Sequence, residues 1–352
     1  MQKSELLYVG SYEGKDSRCL SVFDYENQKM LESHEIKNSA YLCFSPDRQY
    51  LYTVIESASH KNLEGGGVAA YAVEDGGKLH FINDGFTEGA SPCHLSVSAD
   101  AKTLYAANYT GGSTIAFELL EGGRIGEKKF FINHNELGAA SHAVGSRQKS
   151  AHAHYIQPLS INGLLTIWSC DLGLDAVLVF DETGKEMTRF QTPAGFGPRH
   201  MVFHPDYPLV YVLGELACAV INLEYSYDKS LHIKACGEMS VLKSKSDAEC
   251  TCAAIRVSPC GKFVLTSNRM AGTEGSLSIF SLDASGMVVA LENVVPSGGI
   301  WPRDFNFNKK GDVVFVANQE SDKVSLFDWS QNGKLVPTGK ALDVQKPACV
   351  LL

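Results

Sequence analysis

The chain has 352 residues, 44% of them hydrophobic and 20% charged, with a net charge of −9. A nucleic-acid binder carries a basic face, so the acidic balance argues against polyanionic partners. The opening MQKSELLYVG holds no apolar run suited to a secretory signal, no window approaches the roughly 18 apolar residues of a membrane helix, and a cytoplasmic protein is expected.

In chain order, the first elements are the apolar runs LLYVGSYEG (6–14) and CLSVFDYE (19–26). A repeating unit follows: an apolar strand, a polar turn often of Ser-Pro-Asp type, and a second apolar strand. Its copies are 41–56, 94–109, 154–171, 200–216, 254–269 and 304–320. Anchored at the third turn position (Asp47, Asp100, Leu159, Asp206, Cys260, Lys310), the copies step by 53, 59, 47, 54 and 50 residues. After each copy comes a third strand (67–73, 113–119, 176–182, 218–225, 276–283, 323–329), then a turn and a more polar fourth. Apolar residues do not recur at helical spacing for three turns.

A spacing of about 50 residues with four short strands per unit is that of a β-propeller blade. The six copies leave two orphans. The N-terminal runs match second and third strands, and KPACVLL (346–352) matches a first strand, as in SPCHLSV and GPRHMVF. The expectation is an all-β, seven-bladed propeller in one domain over 1–352, its last blade assembled from both chain ends, which hides an open edge.

In such a ring the first strand of each blade lines the central channel, and its start meets the end of the second strand at one mouth. First-strand starts carry Tyr41, His94, His154, His200, Ala254, Asp304 and Cys349, with Arg199 and Arg303 just before two of them. Second-strand ends carry Glu56, Asn108, Asp171, Glu215, Asn268, Arg269, Asn318 and Gln319. Asp47, Asp100, Asp206 and His204 sit in turns and are explained by turn chemistry. Asn108, Asn268, Asn318 and Asp171 either cap neighbouring backbone groups or face a ligand. Strand alternation sends His152 and His154 to one face. Arg199, Arg269 and Arg303 near one opening need an anion, either a carboxylate such as Glu215 or a ligand phosphate or carboxylate.

The ten cysteines form no C-x-x-C pair, so a zinc site is not expected. Cys43, Cys93, Cys218 and Cys349 lie on or beside apolar runs and read as small buried hydrophobes in a reducing compartment. There is no G-x-S-x-G motif, so no acyl-enzyme is indicated.

The stretches ANYTGGS (107–113), RQKSAHAH (147–154), DLGLD (171–175), GPRHMVFHPD (197–206), YVLGEL (211–216), SPCGKFVLTSNR (258–269) and WPRDFNF (301–307) resemble the lactonase family of seven-bladed propellers. That family includes bacterial propeller-type 6-phosphogluconolactonases and the fungal carboxy-muconate cyclase. The resemblance runs in order from Leu6 to Leu352 and implies hydrolysis of a sugar-acid lactone, 6-phosphogluconolactone being the expected substrate. It implies catalytic roles for His154, Arg199, Glu215 and Arg269. His152, His94, His200, Arg303, Asn108 and Asp171 are the further candidates for holding the substrate. No cofactor or metal is expected. The chain departs from the family pattern at Ala151, where proline is usual, in 133–146, and in GEL where NEL is common. Three other readings use the same mouth: a lactonising cyclase, a Ca²⁺-dependent lactonase with Glu56, Asn108 and Asp171 as oxygen ligands, and a non-catalytic binding platform.

Overall fold

The computed structural model describes residues 5–15, 17–243 and 250–352. The β-branched and aromatic runs form seven four-stranded antiparallel sheets. Short 3₁₀ turns are present, and there is no α-helix among the described residues. No helix among the described residues is long and apolar enough to cross a membrane.

From the centre outward, a typical blade runs Pro92–Val97, Thr103–Asn108, Ser113–Leu119 and Ile125–Asn133. The other innermost strands are Leu42–Phe44, Ala153–Ile161, Pro198–Phe203, Cys250–Val257, Pro302–Phe307 and Pro347–Leu351.

The hydrophobic core is divided among the gaps between blades. Seven apolar clusters each join two neighbouring sheets. One packs Trp168 and Val179 of one blade against Met201, Val212 and Ile221 of the next. A chain this long therefore needs no single large core: each blade completes the core of its neighbour.

The turns follow the chemistry of their residues. Asp47 accepts from Ser45 Oγ at 2.5 Å and Gln49 N at 3.1 Å, and Asp100 accepts from Ser98 Oγ at 2.6 Å and Lys102 N at 3.1 Å. In the fourth copy His204 Nδ1 takes this part, accepting from Asp206 N at 3.0 Å. The turn expected at Leu159 falls elsewhere. Ala153–Ile161 continues as strand to an Asn162-Gly163 turn with φ of 52° and 82°, the Asn-Gly hairpin that period-2 reading passed over. Cys93, Cys218 and Cys349 are buried as expected, while Cys43 is half-buried.

The ring closes with Pro347–Leu351 antiparallel to Leu6–Ser11, pairing Tyr8 with Leu351, Val9 with Val350 and Gly10 with Cys349. Ala348, Cys349 and Val350 are buried. Each fully buried aliphatic side chain is worth about 1.5–3 kcal/mol, and the strand also covers the edge of Leu6–Ser11. Deleting residues 346–352 is thus expected to abolish the cooperative thermal transition followed by circular dichroism; an unchanged transition would mean closure contributes nothing.

Candidate active site

A recurring irregularity in the innermost strands builds the site. The pairing register skips one residue at the same place in several blades: Cys93, His154, Arg199, Arg303 and Ala348 are each an extra residue against the second strand. Such a β-bulge leaves its extra residue unpaired and re-aims its side chain. Four of these strands begin with proline, and the residue before each proline (Ser91, Gly197, Trp301, Lys346) has φ between 41° and 63°. The chain thus turns sharply into the strand and bulges at the next residue but one.

Glu215 lies at the centre of the mouth, directly after the strand Leu209–Gly214. Its Oε2 is 2.9 Å from Arg199 Nε, 3.0 Å from Arg269 Nη2 and 3.9 Å from His154 Nε2, and Oε1 contacts Arg147 Nη2. Exposures are 2% for Arg199, 3% for Glu215 and 4% for Arg269, so these are desolvated charges. Burial alone would raise the Glu215 carboxyl, but the charges of Arg269, Arg199 and Arg147 outweigh it and hold the group well below the usual carboxylate range. Arg199 is pushed down to about 10 by burial and by Arg269, and stays cationic at neutral pH. Its Nε–H has no acceptor in line with it, so the contact with Glu215 is one of charge. Its Nη1 donates to His200 Nε2 at 3.2 Å and to the Ala253 carbonyl.

Arg269 is held by the carbonyls of Cys252 (2.7 Å) and Thr251 (3.4 Å) and lies 5.1 Å above the Trp301 ring. Trp301 sits at φ 63°, a costly conformation for a bulky residue, and this places its ring beneath the guanidinium.

His154 is buried; desolvation first, then the charge of Arg199, push its imidazole well below the ordinary histidine range. It is neutral at physiological pH, with Nε2 toward Glu215 and Nδ1 3.5 Å from Cys93 Sγ. On the same mouth Tyr12 donates to Glu56 at 2.7 Å, and Arg303 donates to Tyr12 and lies 4.9 Å over its ring. Burial raises the Glu56 carboxyl against the pull of Arg303. Arg303 is close enough to feel Glu215, and Arg199 to feel Arg303. Four guanidiniums therefore share the mouth with two carboxylates, one of them raised.

The other expected residues fall in three places. His152 precedes its strand, stacks on Tyr109 at 4.5 Å and donates through Nδ1 to the Tyr109 carbonyl at 2.9 Å. Simple alternation does not relate it to His154, which is the bulge residue, yet both rings meet Tyr109. His94 and His200 lie one layer deeper. With Tyr41 and Tyr155 they form a plug of rings with centroids 4.1–5.8 Å apart. Beyond that plug, a cavity of about 250 Å³ opens toward the other end of the channel and the Arg256–Asp304 pair. His200 meets the mouth through Arg199.

Asn108 and Asp171 are both fully buried and bonded inside the fold. Asn108 donates to Thr87 O and Ser113 Oγ. Asp171 pairs with His134 Nδ1 at 2.8 Å and accepts from the amides of His152 and Leu174. The structure thus corrects the expectation for these two: they brace the blades and leave the mouth cluster to others. Glu56 accepts from Tyr12 while Asp171 pairs with His134, so the two carboxylates belong to separate networks.

The sequence reading gave no role to Arg147, Tyr12, Tyr109 or Trp301. Arg147 comes from a loop between blades that has no counterpart in the repeat, so blade alignment gave it no position. Gln148 ties that loop to Leu172 O (2.8 Å) and Asp175 (2.7 Å), and Asp175 in turn accepts from the amides of Gly195 and Gly197, both at 2.7 Å. This clamp sets the turn before Arg199. Only the proximity of Arg147 to the H-A-H motif hinted at its place.

The ring and its mouth define the class of protein: a seven-bladed β-propeller whose channel opening presents clustered arginines, a buried carboxylate and a neutral imidazole. Residues 6–352 match the family described as lactonase, 7-bladed β-propeller, and the chain belongs to that family. Similar proteins include the 6-phosphogluconolactonase of Bacillus subtilis (28% identical, 97% of each chain covered) and that of Formosa agariphila (31%, 91% of each). Among solved structures, the periplasmic gluconolactonase of Pseudomonas aeruginosa matches with a TM-score of 0.87 at 26% identity over 99% of both chains. Relatives with these names support lactone hydrolysis as the type of chemistry.

Proposed function

We propose that the chain hydrolyses the lactone of a phosphorylated sugar acid, 6-phosphogluconolactone to 6-phosphogluconate, as a cytoplasmic step of the pentose phosphate pathway. The observation that carries this reading is the charge imbalance: four guanidiniums at one opening against two carboxylates. Buried guanidiniums in excess select an anionic ligand.

Glu215 is ionised and enclosed by three arginines, which makes it a poor proton acceptor and a good anchor for those cations. His154, neutral and buried, is the group suited to take a proton from water; a general base contributes typically about 10²–10⁴-fold. The arginine N–H groups stabilise the carbonyl oxygen as it gains charge. The ring C–O bond then breaks, the proton passes to the departing alkoxide, and the new carboxylic acid gives its own proton to solvent and leaves as the open-chain carboxylate. Arg303 and Arg147, at the rim of the cluster, are placed to grip the phosphate.

A panel of phosphorylated and unphosphorylated sugar lactones tests the proposal, assayed on the wild type, Arg199→Ala and Arg269→Ala. The phosphorylated δ-lactone should be hydrolysed best, with both variants slowed at least tenfold. Equal, uncatalysed rates on every lactone would remove the hydrolytic reading.

A further inference from the structure

Between two neighbouring blades, beside Glu215, three cysteines from two strand ends converge. Cys250 and Cys252 alternate on one strand, so their side chains share a face. Cys218 reaches them from the turn after Glu215, where it adopts φ 50°. The three Sγ atoms all lie within 4.8 Å of one another. Cys252 is fully buried, Cys218 is 9% exposed and Cys250 is half-buried, which leaves one side of the cluster reachable from solvent.

We propose that Cys218, Cys250 and Cys252 form a binding site for one thiol-seeking metal ion of the Zn²⁺ or Cd²⁺ class. Metal–sulfur bonds of about 2.3 Å place the sulfurs of a trithiolate roughly 3.8–4.0 Å apart, a small inward adjustment from the observed cluster. Three thiolates select soft and borderline ions over Mg²⁺ or Ca²⁺. On binding, three S–H bonds break, three metal–sulfur bonds form and three protons pass to solvent. A divalent ion then leaves one net negative charge. Arg269 sits one peptide away to balance it, donating to the carbonyl of Cys252 itself. Asn268 Oδ1, 3.6 Å from Cys252 Sγ, and water are the neighbours available for a fourth ligand. The site also touches the mouth through the backbone: Cys252 N donates to the Glu215 carbonyl at 3.1 Å. The absence of C-x-x-C spacing does not exclude such a site, because the third thiol arrives from a different blade.

The test is titration of the reduced, full-length chain with Cd²⁺, read as the ultraviolet sulfur-to-metal charge-transfer band. One equivalent per chain should saturate the wild type and Cys260→Ser, whose substituted thiol lies outside the cluster. Cys250→Ser and Cys218→Ser should each weaken binding at least tenfold while keeping the wild-type melting transition. No substrate is involved, so the outcome is independent of the lactonase reading. A band that survives in Cys250→Ser, or no band in the wild type, would overturn the proposal. So would a chain isolated without reductant whose Cys218 is linked by a disulfide to Cys252, which would make the cluster a redox pair.

Discussion

A Glu215→Ala variant is expected to lose lactone turnover and about 3–5 kcal/mol of stability, the effect of breaking a buried ion pair and leaving its partners uncompensated. The reason is local. Arg199 and Arg269 are buried and share one carboxylate oxygen, at 2.9 and 3.0 Å, and Arg147 holds the other. Removing the anion leaves three cations facing one another in a poorly solvated opening. The same loss should create a receptor for small anions. Inorganic phosphate is therefore expected to raise the melting temperature of Glu215→Ala by more than it raises that of the wild type. Differential scanning calorimetry with and without phosphate measures this. A variant as stable as the wild type and indifferent to phosphate would show that the arginines do not depend on Glu215.

His154→Gln is expected to lower kcat/KM by about 10²–10⁴-fold, mainly in kcat, because the substituted side chain keeps polar contact but cannot accept a proton from water. The pH dependence follows from the direction of the shifts. His94, His154 and His200 are all held well below the ordinary histidine range, first by desolvation and then by the charge of Arg199. The unfolded chain titrates normally near pH 6.5, so below that pH it takes up protons that the folded chain refuses. Stability contributed by the neutral state is complete above about pH 6.5 and falls as the pH drops. Each histidine adds up to about 1.4 kcal/mol per pH unit until its folded-state value is reached. Urea unfolding at stepped pH should show this slope, shallower in His154→Gln by the share of one histidine. In the wild type, kcat/KM should stay level below pH 6.5 for as long as circular dichroism shows a folded chain. A fall in activity centred near pH 6.5 would mean that His154 titrates as a free histidine and is not desolvated.

Much of this molecule was legible in one sequence because a propeller repeats. The turn residues Ser45, Asp47, Ser98 and Asp100 announce hairpins, and the match of KPACVLL to other first strands announces closure, which the pairing of Val9 with Val350 bears out. Glu215, Arg199, Arg269 and His154 stand at strand ends that blade topology brings to one mouth, a placement that needs no coordinates. The asparagine and aspartate at equivalent ends, Asn108 and Asp171, show the limit of that placement. A strand-end position places a residue near the mouth, but whether its polar atoms point outward or into the blade depends on partners such as Thr87, Ser113 and His134.

Composition, turn chemistry and a repeat of about 50 residues determined by themselves the number of blades, their strand order and the way the two ends join, because each depends on local pattern and spacing. Only the tertiary structure decided the direction of the side chains. One extra residue in three of the inner strands turns Arg199, Arg303 and His154 out of the period-2 alternation. Arg147 arrives from a segment that no repeat position predicts, and the thiol of Cys218 meets two thiols of a neighbouring blade. Charge neutralisation and the meeting of the three thiols depend on contacts a few ångströms long between residues far apart in the chain, and a linear pattern carries no distance between blades.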